Sequence, residues 1–111
     1  MISHAKEYLA VLAFSLIALP LWAAHMDSLS WEPTQAVRIG STPVMPGQYE
    51  LRAEEGQPNV EVMHNGKVLA TVPCNWVKLP KKADNSEVQT NDNQVTQVDF
   101  SGRSEAIQIS R

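Results

Sequence analysis

Histidine, methionine and cysteine side chains recur along this chain, and together they have the chemistry of a copper site. The candidates are His25-Met26, Met45, Met63-His64 and Cys74. Imidazole, thioether and thiolate groups are ligands that copper favours. If a leader ended at Ala24, His25 would carry the terminal amine and could chelate through both amine and ring. Because no close His-x-His or Cys-x-x-Cys spacing accompanies these residues, copper binding by His25 with Met26 or His64 is the alternative interpretation.

Cys74 is the single cysteine of the chain, so it forms no internal disulfide. A thiol nucleophile needs a lowered pKa and a base within hydrogen-bond reach. The nearby side chains of Val72, Trp76 and Val77 are apolar, and an apolar environment raises the pKa of a thiol. We therefore predict that Cys74 is buried, protonated and inert.

Acidic side chains are a third candidate chemistry. Glu54 and Glu55 fall in a predicted loop, and further acids lie on separate predicted strands: Glu50, Glu61, Glu87 and Asp99. Their spacing pairs no two of them as a general acid and base. The chain also lacks a Gly-x-Ser-x-Gly turn, a glycine-rich phosphate loop and a His-Glu-x-x-His helix. The sequence therefore predicts no enzyme and no cofactor.

The tryptophan and tyrosine residues that follow the predicted leader are Trp31, Tyr49 and Trp76. Exposed aromatic side chains can stack on a sugar or anchor a protein partner, whereas buried ones fill a small core. We predict that these three are the contact residues of a non-catalytic binding or structural module. Its expected partner is a protein or glycan of the cell envelope.

The charge distribution argues against nucleic-acid binding. The net charge is −3, and Lys81-Lys82 is the only adjacent pair of basic residues. Proteins that bind nucleic acid usually concentrate lysine and arginine on one face. We expect no nucleic-acid partner.

Residues 1–24 have the pattern of a secretory signal helix. Lys6 precedes an apolar run, Leu9–Leu19, which Pro20 ends, and Ala23 and Ala24 offer a cleavage site. The run is shorter than the roughly 20 residues that a spanning helix needs. The third position before either cut is Leu21 or Trp22 rather than a small residue, so an uncleaved membrane anchor is the alternative. The predicted destination is the periplasm or the exterior.

Residues 25–111 carry period-two patterning and no helical period, which predicts a single all-β domain. Asn65-Gly66 is a type I′ hairpin signal, because both residues tolerate positive φ. A two-residue turn there pairs Met63 with Val68, Val62 with Leu69 and Val60 with Thr71.

Other strands are predicted from alternating or β-prone segments at 35–39, 48–53, 87–90, 95–100 and 105–110. Pro73 and Pro80 bracket a further segment, Cys74–Leu79. Because proline cannot donate to a ladder, this segment should be an edge strand or a crossing between sheets. Residues 25–33 show no clear period and are interpreted as an extended lead-in. Seven or eight short strands predict a small antiparallel β-sandwich or barrel.

Three segments occur in a recognisable order: V-x-I-G-S-T-P-V-M-P-G-Q-Y-E-L at Val37–Leu51, N-G-K-V-L-A-T-V-P-C-N-W-V at Asn65–Val77, and V-T-Q-V-D-F-S-G-R-S-E-A-I at Val95–Ile107. In this combination the chain resembles a group of small exported β-domain proteins of soil bacteria. The resemblance implies a compact β domain with a signal peptide. It implies no catalytic residues, because no activity is established for that group.

Overall fold

A computed structural model describes residues 25–110, and the predicted signal helix or anchor at 1–24 lies outside these described residues. Nine strands form within that range: β1 (Met26–Trp31), β2 (Val37–Ile39), β3 (Thr42–Val44), β4 (Tyr49–Glu54), β5 (Asn59–His64), β6 (Lys67–Lys78), β7 (Glu87–Asn91), β8 (Gln94–Asp99) and β9 (Glu105–Ile109). The all-β prediction is confirmed. The described range contains no helix, and so none that is long and apolar enough to cross a membrane.

The strands join into one open sheet in the order β1-β4-β5-β6-β9-β8-β2-β3, with β7 on the other side of β8. The sheet does not close, so the barrel alternative is wrong. It is also not wholly antiparallel, because β2 runs parallel to β8 through Arg38 opposite Gln94 and Ile39 opposite Val95. A mixed sheet of nine strands therefore replaces the predicted antiparallel arrangement of seven or eight.

The long strand β6 divides the sheet into two parts. Its residues 67–73 pair with β5. This part of the sheet also contains β1 and β4, and we call it sheet A. Residues 74–78 of β6 pair with β9 in sheet B, which also contains β2, β3, β7 and β8. The change of partner occurs between Pro73 and Cys74. A crossing between sheets was one of the two predictions for this segment, and it is the one confirmed.

One core cluster draws on both sheets. Its fully buried aliphatic side chains include Leu51, Val60, Val62 and Val72 from sheet A, and Ile39, Val44, Val95, Val98 and Ile107 from sheet B. Phe100 closes the cluster after β8. Alternation in the sequence predicts five inward aliphatic side chains on these strands, and all five are buried: Val37 and Ile39 of β2, Leu51 and Ala53 of β4, and Val98 of β8. Tyr49, which the same alternation places inward, is only partly buried at the end of β4.

The turn of the β5–β6 hairpin follows its prediction, but the register does not. Asn65 and Gly66 have φ values of 51° and 77°, as a type I′ turn requires. Met63 pairs with Val68 as predicted, yet Val62 pairs with Ala70 and Val60 with Val72. A β-bulge at Leu69 shifts the register by one residue, so the predicted pairs Val62–Leu69 and Val60–Thr71 are wrong.

Residues 26–31, interpreted as an aperiodic lead-in, form strand β1 and alternate between exposed and buried positions. The inward side chains are Asp27, Leu29 and Trp31. The aspartate hides the period in the sequence, because a charged residue stands where the pattern calls for an apolar one. Its burial is compensated by residues outside the strand: His25 Nε2 lies 3.0 Å from Oδ1, and Arg103 Nε lies 3.5 Å from Oδ2.

Candidate functional site

The structure brings two of the three predicted aromatic contact residues together. Trp31 and Tyr49 are direct cross-strand partners on β1 and β4, and their ring centroids are 5.9 Å apart. The His64 ring lies 4.9 Å from that of Tyr49, so the three rings form a cluster at the hairpin end of sheet A. Trp31 is only 9% exposed, which makes it part of the core rather than a stacking platform.

Trp76 lies apart from this cluster. Its indole Nε1 donates a hydrogen bond of 2.9 Å to the Gln57 carbonyl, in the loop at the opposite end of sheet A. Its ring stacks against Phe100 with a centroid separation of 6.4 Å. Trp76 is half-buried, and these contacts give it a structural role that joins the β4–β5 loop to sheet B.

His25 and His64, the two histidines of the alternative copper site, lie at opposite ends of sheet A. Met26 next to His25 is opposite Glu54, whereas His64 stands beside the start of β4. The length of β4 separates these points by about 17 Å. The structure therefore does not bring His25 and His64 together, and Met26 lies at the His25 end.

Both ring nitrogens of His64 already have hydrogen-bond partners. Nδ1 donates to the Gln48 carbonyl at 3.1 Å, because a carbonyl oxygen can only accept. Nε2 then accepts from the side-chain amide of Asn65 at 3.3 Å. Neither nitrogen is left with a free lone pair for a metal ion. Within residues 25–110, no group of three or more histidine, cysteine, aspartate or glutamate side chains is arranged to hold one.

Cys74 is buried, with 3% of its surface exposed. Burial raises the pKa of its thiol from 9.0 to about 11, because removing a group from water disfavours its charged form. The thiol is therefore protonated at neutral pH, as the apolar neighbours predicted.

The acidic residues of the predicted loop and strands are distributed over separate contacts. Glu61 forms an ion pair with Arg52 across β4 and β5, with 3.1 Å between Oε1 and Nη2. Glu55 is bound by Arg103 at 3.2 Å. Asp99 accepts hydrogen bonds from Gln89 and Gln97. These contacts neutralise or solvate individual carboxylates and assemble no acid–base pair.

Two exposed apolar residues stand side by side at the β5–β6 hairpin, and the sequence analysis missed them. Val68 is 48% exposed and Leu69 is 53% exposed. Val68 is opposite Met63 on the outer face of sheet A. Met63 itself is buried, with 6% of its surface exposed, although it does not belong to the core cluster. The bulge adds Leu69 as an unpaired neighbour. We call Val68 and Leu69 the bulge pair. Strict alternation would have exposed only one of them.

A cleft of about 430 Å³ opens on the same outer face. Its floor is a cross-strand row of Ser30 on β1, Glu50 on β4 and Met63 on β5. Its other lining residues are Trp31, Glu32, Gln48, Tyr49, Asn65 and Gly66. Because Met63 is paired with Val68, the cleft and the bulge pair are adjacent. We call this combined area the hairpin surface.

Comparison of the chain with protein-family models, with curated proteins and with solved structures finds no match. The predicted resemblance to exported β-domain proteins therefore stays a prediction.

Proposed function

We propose that the protein is an exported, non-catalytic binding module of the bacterial envelope, in the periplasm or outside the cell, and that it contacts a protein partner through the hairpin surface. The observation that carries this proposal is the bulge at Leu69, which leaves two adjacent aliphatic side chains exposed beside an open cleft.

The exposed bulge pair has an energetic cost that a partner would remove. Full burial of a valine or leucine side chain stabilises by about 1.5–3 kcal/mol. Since each member is about half exposed, covering both would contribute about 2 kcal/mol. Strict alternation in β6 would have exposed only one of the two side chains. Two adjacent exposed aliphatic side chains beside a cleft support a contact role for the outer face.

A protein partner fits the hairpin surface better than a glycan does. Sugar recognition by stacking needs an accessible aromatic face, but Trp31 is buried, and the partly buried Tyr49 ring packs against the rings of Trp31 and His64. The Tyr49 hydroxyl is also occupied, since it donates to the Met45 carbonyl at 2.8 Å. The exposed side chains of the hairpin surface are the aliphatic bulge pair with the polar residues Ser30, Glu32, Gln48, Glu50 and Asn65 around the cleft. An apolar patch beside polar groups resembles the core and rim of a protein interface.

Export is supported by the sequence of residues 1–24. The experiment is amino-terminal sequencing of the protein recovered from the envelope and the medium. We expect a terminus between Ala24 and Met26 and recovery in the soluble fraction. Recovery of the uncut chain in the membrane fraction would contradict export as a soluble module and would favour the anchor.

The contact role is tested by placing a photo-crosslinking amino acid at position 69 in living cells. We expect one discrete protein adduct, which mass spectrometry identifies. The purified partner should then bind the unmodified protein, and the double substitution Val68→Thr with Leu69→Thr should weaken that binding about fivefold, because it removes roughly half of each apolar contact.

A crosslinker at Glu87, which is exposed on the edge strand β7, is the matched control and should give no such adduct. Equal adducts at positions 69 and 87 would contradict the proposal, as would partner binding that the threonine substitutions leave unchanged. A polydisperse adduct that a glycan hydrolase removes would identify a glycan partner instead.

A further inference from the structure

The charged side chains that line the cleft are of one sign. Two glutamates, Glu32 and Glu50, belong to its lining, and the lining contains no lysine, arginine or histidine. Both glutamates are exposed. Like charges around a concave surface reinforce each other and attract a ligand of the opposite sign.

Neither glutamate is neutralised by an ion pair within residues 25–110. The nearest arginine along the strand, Arg52, is two positions from Glu50 and is engaged by Glu61. Glu50 is flanked in its cross-strand row by the neutral residues Ser30 and Met63. The negative charge of the cleft is therefore available to a partner.

We propose that the protein partner inserts a lysine or arginine side chain into the cleft while an adjacent apolar side chain covers the bulge pair. This inference rests on the proposed function and names the chemistry of its partner. The negative charge of the cleft and the apolar bulge pair favour the same occupant, which is a segment in which basic and aliphatic side chains lie next to each other.

The cleft suits both the apolar methylene stem and the charged end of a lysine or arginine side chain. Its volume of about 430 Å³ lies within the range of about 300–1,000 Å³ typical of ligand pockets. Met63 lines the cleft although only 6% of its surface is exposed, so its thioether offers a small, adaptable apolar contact for a methylene stem. The carboxylates at the rim accept hydrogen bonds from the charged end. One of them is held in place, because Gln48 Nε2 donates to Glu32 Oε1 at 3.3 Å.

The test uses three acetylated and amidated hexapeptides of equal length with the purified protein. The first is Gly-Lys-Leu-Lys-Leu-Gly, the second replaces both lysines with glutamate, and the third replaces both leucines with serine. We expect the lysine–leucine peptide to perturb the backbone amide signals of Glu50, Met63 and Leu69 in a ¹⁵N-labelled sample. The glutamate–leucine peptide should leave them unchanged, and the lysine–serine peptide should bind more weakly.

Two isosteric substitutions, Glu32→Gln and Glu50→Gln, isolate the charge. Together they should weaken binding of the lysine–leucine peptide about fivefold at low salt, since each exposed charge contact is modest. The matched control is Glu87→Gln, which removes an exposed carboxylate far from the cleft and should change nothing. Raising the ionic strength to about 0.5 M should remove most of the difference in peptide affinity between the native protein and the double glutamine variant, because salt screens exposed charges.

The outcomes separate this inference from the proposed function. Equal binding of the lysine and glutamate peptides at the hairpin surface would overturn the charge preference and leave the contact role intact. Binding of the lysine–leucine peptide that the glutamine substitutions do not weaken would do the same. No perturbation by any peptide would also overturn the inference, whereas the proposed function is decided by the crosslinking experiment at position 69.

Discussion

Arg103 Nε lies 3.5 Å from the Oδ2 atom of Asp27, and this contact links the loop before β9 to the first strand of the fold. Asp27 is 7% exposed, and Oδ2 is buried and accepts no hydrogen bond among the described residues. Arg103 is therefore the main compensation for this oxygen. The same guanidinium reaches Glu55 at 3.2 Å and Glu105 at 3.8 Å, so it joins β1, the β4–β5 loop and β9.

Replacing Arg103 with methionine should lower the free energy of unfolding by about 2–3 kcal/mol. Breaking a buried ion pair costs about 3–5 kcal/mol, because the remaining charge is left unpaired. We expect less here, since the Arg103 side chain is partly exposed and His25 still contacts Asp27. Urea denaturation measures the change.

The control for this substitution is Arg38→Met, which removes an exposed arginine that only donates to the Ser41 carbonyl. It should cost less than about 0.5 kcal/mol. Adding Asp27→Leu to Arg103→Met should recover most of the loss, because it removes the unpaired buried carboxylate. Equal effects of the two arginine substitutions would show that the contact with Asp27 contributes nothing.

Gly40→Ala should destabilise the protein more than Gly66→Ala. Both glycines have positive φ, 64° and 77°, so both substitutions have a similar backbone strain of about 1 kcal/mol. A Cβ at position 40 would also lie 2.7 Å from Val72 Cγ1, whereas one at position 66 would meet no atom within 4 Å. We expect an additional loss of about 1–3 kcal/mol from overpacking at position 40.

Thermal or urea unfolding of the two alanine variants measures this difference. The further substitution Val72→Ala removes the clashing methyl group, so its cost should be smaller in the Gly40→Ala background than in the native sequence. Equal losses at positions 40 and 66 would mean that the approach of Gly40 to β6 is not close.

The native protein should react slowly with a thiol reagent at neutral pH. The thiolate is the reactive form, and the raised pKa of Cys74, about 11 instead of 9.0, lowers its thiolate fraction about a hundredfold. Burial reduces access further. Labelling should become fast in denaturant, with free cysteine as the reference. Fast labelling of the folded protein would show that this face of β6 opens in solution.

The free energy of unfolding should fall between pH 9 and pH 11 because of Cys74. The fold raises the pKa of the thiol, so the unfolded chain loses its proton first as the pH increases. The contribution of the protonated Cys74 thiol to the free energy of unfolding is complete below pH 9.0 and is lost as the pH passes through about 11. The difference between these two pKa values corresponds to a loss of about 3 kcal/mol in the free energy of unfolding.

Comparison with Cys74→Ala isolates this titration from that of other groups. At neutral pH the alanine variant should be less stable by about 1 kcal/mol, because it loses a small buried group. The order should reverse between pH 9 and pH 11, since alanine does not ionise. Parallel pH curves for the two proteins would contradict the burial of the thiol.

Local features of the fold could be predicted because their causes are local. Asn65-Gly66 forms the predicted turn, since positive φ depends on the residue itself and its neighbours. Pro73 cannot donate to a ladder, which predicted the change of partner in β6. The inward positions Leu51 and Val98 followed from period two. The register beyond Met63 could not be predicted, because a bulge at Leu69 changes which residues face each other without changing the composition of the strand.

The candidate site was predicted only in part. Trp31 and Tyr49 were selected by residue type, and they do border the cleft, but Trp31 is buried and Tyr49 is partly buried against it, so they support the site rather than form its exposed apolar surface. The bulge pair was not found because alternation in the sequence places Val68 and Leu69 on opposite faces. A run of apolar residues directly after an Asn-Gly turn is the signal that could have indicated it.

By itself, the sequence determined the all-β composition, the positions of the turns and most inward side chains, since these depend on φ preferences and on side-chain alternation within a few residues. Only the tertiary structure decided that residues 26–31 are a strand, because the charge of Asp27 is compensated by Arg103 from the far end of the chain. It likewise decided the parallel pairing of β2 with β8 and the adjacency of Glu32, Glu50 and the bulge pair. These depend on contacts between distant segments, for which the local pattern carries no signal.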